Sequence, residues 1–206
     1  MTMRIVAVSF VLPLALVSTG CKALALFLPE PTKTVPAEYP YLVDKKVAIA
    51  VKAPDEMQFE YANIHWEVAD HVRVALESTV RGVTVIEPKK VVDYQRSHAD
   101  WETMDSARLG REFGADRLIE IELTQYTTRE PESPHLYRGH ISAALRVFNT
   151  EYANSQPAYQ ADVHTVYPPT GPGQYGATDR AIRAATMDAF AQDVSAKFYD
   201  RQVTVK

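Results

Sequence analysis

The chain has 206 residues, of which 46% are hydrophobic and 23% charged, with a formal net charge of −4. Length and balance suit one globular domain large enough to bury most of its apolar surface. The acidic balance argues against a nucleic-acid partner, which needs a basic patch to meet phosphates.

The amino terminus reads as a targeting segment. Arg4 is the only charge in the first twenty residues, Ile5 to Val17 is an apolar run broken by Pro13, and Ser18-Thr19-Gly20 are small. A charged start, an apolar middle and a small-residue cleavage site are the order of a secretory signal. A helix of that run is about 20 Å long, short of the roughly 30 Å hydrocarbon core, so a permanent span is not expected. Val17-Ser18-Thr19-Gly20-Cys21 resembles the lipobox of bacterial lipoproteins. The resemblance implies acylation of Cys21 on sulfur and, after cleavage, on its new amino group. Lys22 in the next position is similar to lipoproteins sent on to the outer membrane. Cys21 is the single cysteine of the chain, and a lone thiol in an exported protein otherwise needs an explanation. Ala23 to Leu28, ALALFL, departs from the lipoprotein pattern by staying apolar, which keeps an uncleaved anchor as an alternative. The expected organisation is a signal peptide over 1–20, a lipidated Cys21 with a proline-rich tether over 21–44, and a folded domain over 45–206. Pro29, Pro31, Pro36 and Pro40 favour an extended, polyproline-like tether.

In the body, Val47 to Val51 (VAIAV) reads as a strand buried on both faces, ended by Pro54 and Asp55. Ile64, Val68, Val72 and Leu76 recur every four residues, an amphipathic helix between about Tyr61 and Val80. Val83 to Ile86 is a second strand, and Pro88 opens a short helix with Val91 and Val92 facing in. Leu109 and Phe113 share a helix face, Gly114 stands where a C-cap glycine belongs, and Ile119, Ile121 and Leu123 then alternate with Glu120, Glu122 and Thr124. This strand is expected inside the sheet, since Leu118 adds an apolar side chain to its other face. Thr127 to Arg138 is polar with two prolines and reads as a hairpin loop or surface excursion. His140 to Asn149 and Tyr159 to Tyr167 alternate again and read as an antiparallel hairpin. After a loop from Pro168 to Gly176, a helix over about Ala177 to Asp200 carries Ile182, Thr186, Phe190, Val194 and Phe198 on one stripe; Ala181, Ala185 and Ala189 beside it would let it lie close on a sheet. The last residues, QVTVK, could fray or add an edge strand. The fold class is therefore α/β, α+β mixed: one domain with a mixed sheet of about five strands, order β-α-β-α-β-β-β-α, helices packed on the sheet.

This order, with the strand VAIAV, the segment ARLGREFGADRLIEIEL (Ala107 to Leu123) and the strand-turn-strand from Ala144 to His164, resembles an envelope superfamily. It includes the TolB amino-terminal domain, the curli-secretion lipoprotein, the Pel-system export lipoprotein and the lipoprotein activators of penicillin-binding proteins. The resemblance implies a non-catalytic lipoprotein domain that assembles with itself or docks on a larger envelope machine.

Several constellations invite an enzymatic reading. His65 and His71 are six apart and do not share a helix face, whereas a zincin needs i and i+4. His98 with Asp100, and His135 with His140, lack a third ligand. Gly171, Gly173 and Gly176 spell G-x-G-x-x-G, yet Pro168, Pro169 and Pro172 remove amide donors a phosphate would use, so a structural loop is expected. Glu120 and Glu122 share a strand face at a separation near that of paired glycosidase carboxylates; if that face is covered they need basic partners, with Arg117 or Arg146 as candidates. No cofactor and no metal is expected. The reading is a non-catalytic, lipid-anchored module on the periplasmic side of the outer membrane. Its partners are the membrane through Cys21 and an envelope protein or a second copy. Tyr126, Tyr137, Tyr167 and Tyr175 are its candidate exposed contact residues. The alternatives are a periplasmic carboxylate-dependent hydrolase acting on envelope carbohydrate, with a pocket gathering His, Asp and Glu, and a self-assembling ring of an export apparatus.

Overall fold

The computed structural model of the chain describes residues 32–130, 133–152 and 156–204. The signal segment, Cys21 and the tether as far as Pro31 lie outside the described residues. The elements run β1 (Thr32–Val35), β2 (Lys46–Lys52), α1 (Asp55–Glu60), α2 (Ile64–Thr79), β3 (Thr84–Val85), α3 (Pro88–Ser97), a 3-10 turn (Trp101–Thr103), α4 (Ser106–Glu112), β4 (Arg117–Glu130), β5 (Ser133–Asn149), β6 (Tyr159–Tyr167), β7 (Gln174–Tyr175), α5 (Asp179–Ser195) and β8 (Arg201–Thr204). The chain divides into residues 34–201 and a second unit of which 32–33 and 202–204 are described. Strands β1 and β8 pair as a two-stranded sheet, so the carboxyl-terminal segment forms a strand.

The main sheet has the order β3-β2-β4-β5-β6, with β7 beside β5. β2 runs parallel to β3 and β4, and β4, β5 and β6 are antiparallel in turn. The fold is the mixed α/β arrangement expected, with β4 in the interior. Local chemistry sets how β4 enters. The Asp105 carboxylate accepts from the Arg108 N–H at 2.8 Å and caps α4. Gly114, at φ +61°, ends that helix in the left-handed conformation glycine tolerates. Asp116 then clamps the start of β4 to β2: its carboxylate accepts from the Lys46 N–H at 2.8 Å and its own N–H donates to the Lys46 carbonyl at 2.7 Å.

The alternation along β4 splits the core in two. Ile119, Ile121 and Leu123 join Ile49, Val51, Leu145 and Val147 under α2 and α5, which contribute Val68, Val72, Leu76, Phe190 and Val194. On the opposite face Leu118, Ala48, Ala50 and Phe148 meet Val91 of α3, Trp101 and Leu109 of α4. β2 is thus buried on both faces, as its unbroken apolar run requires.

Four expectations change. Helix α1, where Pro54 and Asp55 read only as a strand end, has no buried residue and hence no apolar stripe to betray it. Tyr39 and Leu42, inside the stretch read as tether, are 6% and 0% exposed and belong to the first core, so the packed body begins before Lys45. Thr127 to Arg138 is not a loop excursion: β4 and β5 continue as a long ribbon beyond the end of β2 at the Lys52–Glu122 pair. Away from the helices a ribbon needs no apolar alternation, and cross-strand pairs such as Arg129 over Tyr137, 5.3 Å from its ring centre, serve instead. Finally, Ile182, Thr186, Phe190 and Val194 press α5 on the sheet, while Ala181 is exposed and Ala185 and Ala189 lie half-buried along its flank.

Candidate functional site

Helices α3 and α4 cover the second face of the sheet over β2, the first half of β4 and the Phe148 end of β5. Across the rest of β5 and across β6 that face is open among the described residues: Ser142, Ala144 and Arg146 are half-buried, and Gln160, Asp162 and His164 are exposed. Glu120 sits where covered and open halves meet, and it is 3% exposed. A carboxylate so placed must be paired and hydrogen-bonded. Lys52 Nζ lies 3.4 Å and Arg146 Nη1 3.6 Å from its Oε2, and the Ser106 hydroxyl donates to its Oε1. Arg146 also donates to Glu122. These charges are cross-strand neighbours by register: Ala50, Glu120 and Arg146 stand abreast on β2, β4 and β5, and Lys52 stands beside Glu122.

Glu120 and Glu122 do share a face, and Arg146 is the basic partner the sequence offered. Arg117 turns away to Glu151, at 3.3 Å. Lys52 and Ser106 lie far from Glu120 in sequence, and only the parallel register and the α4 cap bring them to it. Glu120 is therefore held as a charged hub of the sheet, not presented as an acid or a nucleophile. Two shallow hollows lie near the hub: about 350 Å³ lined by Ala144, Arg146, Gln160 and Asp162, and about 230 Å³ lined by Lys52, Pro54, Glu102 and Glu122. Neither gathers a histidine with carboxylates, as the hydrolase alternative requires.

The four tyrosines fare differently. Tyr126 is a correction: it is 8% exposed, its ring 4.7 Å edge-on to Tyr61. The cause is a bulge at Thr124, where the β4–β5 register steps from Leu123–Ala143 to Gln125–Ser142. An extra residue reverses the faces, so even-numbered Tyr126 and Thr128 point into the first core where odd-numbered residues did before. Burial raises the Tyr126 hydroxyl above its ordinary range, and burial followed by Glu60 raises Tyr61 to about 12. Tyr137 and Tyr167 are half-buried, and Tyr175, on β7, is 85% exposed. Cys21 lies outside the described residues.

His71 Nδ1 meets Asp188 at 2.8 Å, while His65 is held below its ordinary value by burial and then by Arg96, and the two do not converge. His98 stacks on Tyr94 at 3.9 Å. His140 lies 3.9 Å from Glu130, and burial, reinforced by Arg138, holds it low. Among the described residues no three His, Cys, Asp or Glu side chains group to hold a metal ion. The glycine-rich loop is structural: Gly171 and Gly176 take φ +79° and +76°, and a Cβ on Gly173 would stand 3.1 Å from Leu136 and from the Tyr137 carbonyl.

No protein-family model matches the sequence, and no curated protein matches it. Among solved structures, a variant of the PelC dodecamer from Paraburkholderia phytofirmans aligns over 84% of this chain and 100% of its own, with TM-score 0.51 and 9% identity. The chain has the PelC fold. A second PelC dodecamer structure from the same organism covers 82% and 99%, with TM-score 0.46 and 8% identity. A lipoprotein from Neisseria meningitidis covers 68% and 91%, with TM-score 0.44 and 15% identity.

Proposed function

We propose that this chain is a lipid-anchored, non-catalytic module of the bacterial cell envelope, held by Cys21 at the periplasmic side of the outer membrane, and that it works by protein contact. The observation that carries the reading is Cys21, the single cysteine, standing at the end of a lipobox-like sequence behind a signal-like segment. Two or more acyl chains give stable anchoring where one is marginal. Two features of the sheet support the contact role: Lys52, Glu120, Glu122 and Arg146 are spent on one another, and part of one face is left open. Self-assembly is the favoured form of contact, since the protein whose fold it shares is a dodecamer. Service in secretion, polysaccharide export or peptidoglycan-synthase regulation follows the superfamily resemblance.

The test is Cys21→Ser in cells labelled with a palmitate analogue. The parent chain is expected in the membrane fraction and labelled. The variant is expected to lose both label and membrane association. Retention in the membrane with label intact would refute the anchor.

A further inference from the structure

We propose that the outer edge of β6 pairs antiparallel with the same strand of a second copy of this chain, in the register centred on Val163. The inference rests on reading the chain as a contact module and names the surface and the partner.

β6 is the last strand of the main sheet, and its nine residues Tyr159–Tyr167 pair with β5 without a register shift. Long edge strands are ordinarily guarded by lysine, proline or a bulge. This one has none of the three. What it has is self-complementarity. In YQADVHTVY, antiparallel pairing about Val163 sets Asp162 opposite the partner's His164 and His164 opposite the partner's Asp162. It also sets Tyr159 opposite the partner's Tyr167 at both ends. Moving the centre by one residue in either direction puts Asp162 opposite the partner's Asp162 or His164 opposite the partner's His164, so charge selects one register.

The side chains are ready for it. Asp162 is exposed and has no hydrogen bond or ion pair among the described residues. His164 is exposed, and its Nδ1 is tied to the Ser142 hydroxyl at 2.7 Å, which leaves Nε2 for a carboxylate across the edge. Tyr159 and Tyr167 lie on the opposite face with Val163, the side of α5. A two-fold axis normal to the sheet would bring two α5 helices together on that side. The flank of α5 above the edge is marked by Asp193, whose carboxylate accepts from the Thr165 hydroxyl at 2.6 Å. Ala189 and Ala185 stand four and eight residues before it on the same flank. Small side chains there fit the 8–10 Å spacing of packed helices.

The experiment is sedimentation of the full chain in detergent, with disulfide trapping. The parent is expected to dimerise. Asp162→Lys removes the carboxylate that each imidazole would meet, leaving two donors opposed, and should weaken association about tenfold or more. The swap Asp162→Lys with His164→Asp restores opposite charges in the same register and should recover it. Gln160→Cys with Val166→Cys should give a disulfide-linked dimer, since these positions face each other across the axis within disulfide range and are about 20 Å apart along one strand. A monomeric parent, indifference to Asp162→Lys, failure of the swap, or absence of the crosslink overturns the pairing. So does a larger assembly that Asp162→Lys leaves intact. None of these results bears on membrane fractionation of the parent and Cys21→Ser chains, so the two readings fail separately.

Discussion

The Glu120 hub offers the sharpest test of how this sheet is held. Consider Lys52→Met with Arg146→Met. Both changes keep the aliphatic stem and remove the charge. Glu120, 3% exposed, then keeps only the Ser106 hydroxyl. An uncompensated buried carboxylate costs about 3–5 kcal/mol, and a domain of this size loses about 2–4 °C per kcal/mol, so the melting temperature should fall by about 6–20 °C. Either single change leaves one cation beside the carboxylate and should cost about 1–2 kcal/mol. Arg146 also serves Glu122, but that carboxylate is 44% exposed and contributes little. Lys52 also lies 5.6 Å from the Trp101 ring centre, and losing that contact adds to its cost. Glu120→Gln on the double background separates these effects, because it removes the stranded charge and keeps an acceptor for Ser106. Most of the loss should return. Urea unfolding of the parent, the two single variants and the double variant gives the cycle, and the Glu120→Gln chain is measured beside them. A double variant within about 1 kcal/mol of the parent, or no recovery with Glu120→Gln, would refute the hub.

Tyr126→Phe should be neutral or stabilising by up to about 1 kcal/mol in urea unfolding, because the Tyr126 hydroxyl is buried without a hydrogen-bond partner among the described residues. Phe190→Ala, at the centre of the first core and 1% exposed, should cost about 3–5 kcal/mol by the same measurement. His65 and His140 are both held below the ordinary histidine value when folded, burial being the larger cause in each. The unfolded chain therefore binds protons first as pH falls through about 6.5, and stability should decline from there down to the folded values. The decline should be shallower in His65→Gln.

Much of the frame was legible because it rests on short-range rules. The Leu109-to-Leu123 passage shows its helix face, its C-cap glycine and its period of two, and each survives in α4 and β4. The alternation also placed Glu120 and Glu122 on one face and made Arg146 a plausible partner. What escaped lacks a local signature. The bulge at Thr124 is one residue of ladder mismatch, invisible to a count of two, and it alone sends Tyr126 inward. Lys52 and Ser106 reach Glu120 through parallel pairing and a helix cap, neither of which spacing along the chain reveals. Tyr39 and Leu42 sit among prolines that read as tether, yet the Tyr39 N–H donates to the Lys197 carbonyl at 2.9 Å, a link across the length of the domain.

The open half-face follows from topology. Parallel strands must be joined by crossovers, and these cover the sheet. The connection from β2 to β3 lays α2 on the first face, and the one from β3 to β4 lays α3 and α4 on the second, over β2 and β4. From β4 to β6 the strands join as hairpins with no helix among the described residues, and α5, which follows, returns to the first face. Among the described residues no helix is left to cover the second face of β6 or of β5 beyond Phe148. On that face Ser142, Ala144 and Arg146 of β5 and Gln160, Asp162 and His164 of β6 are accordingly polar or small, and β6 closes the sheet without a guard. The same meander that leaves the face bare also leaves the edge bare, so a partner that added a strand at β6 would extend both at once.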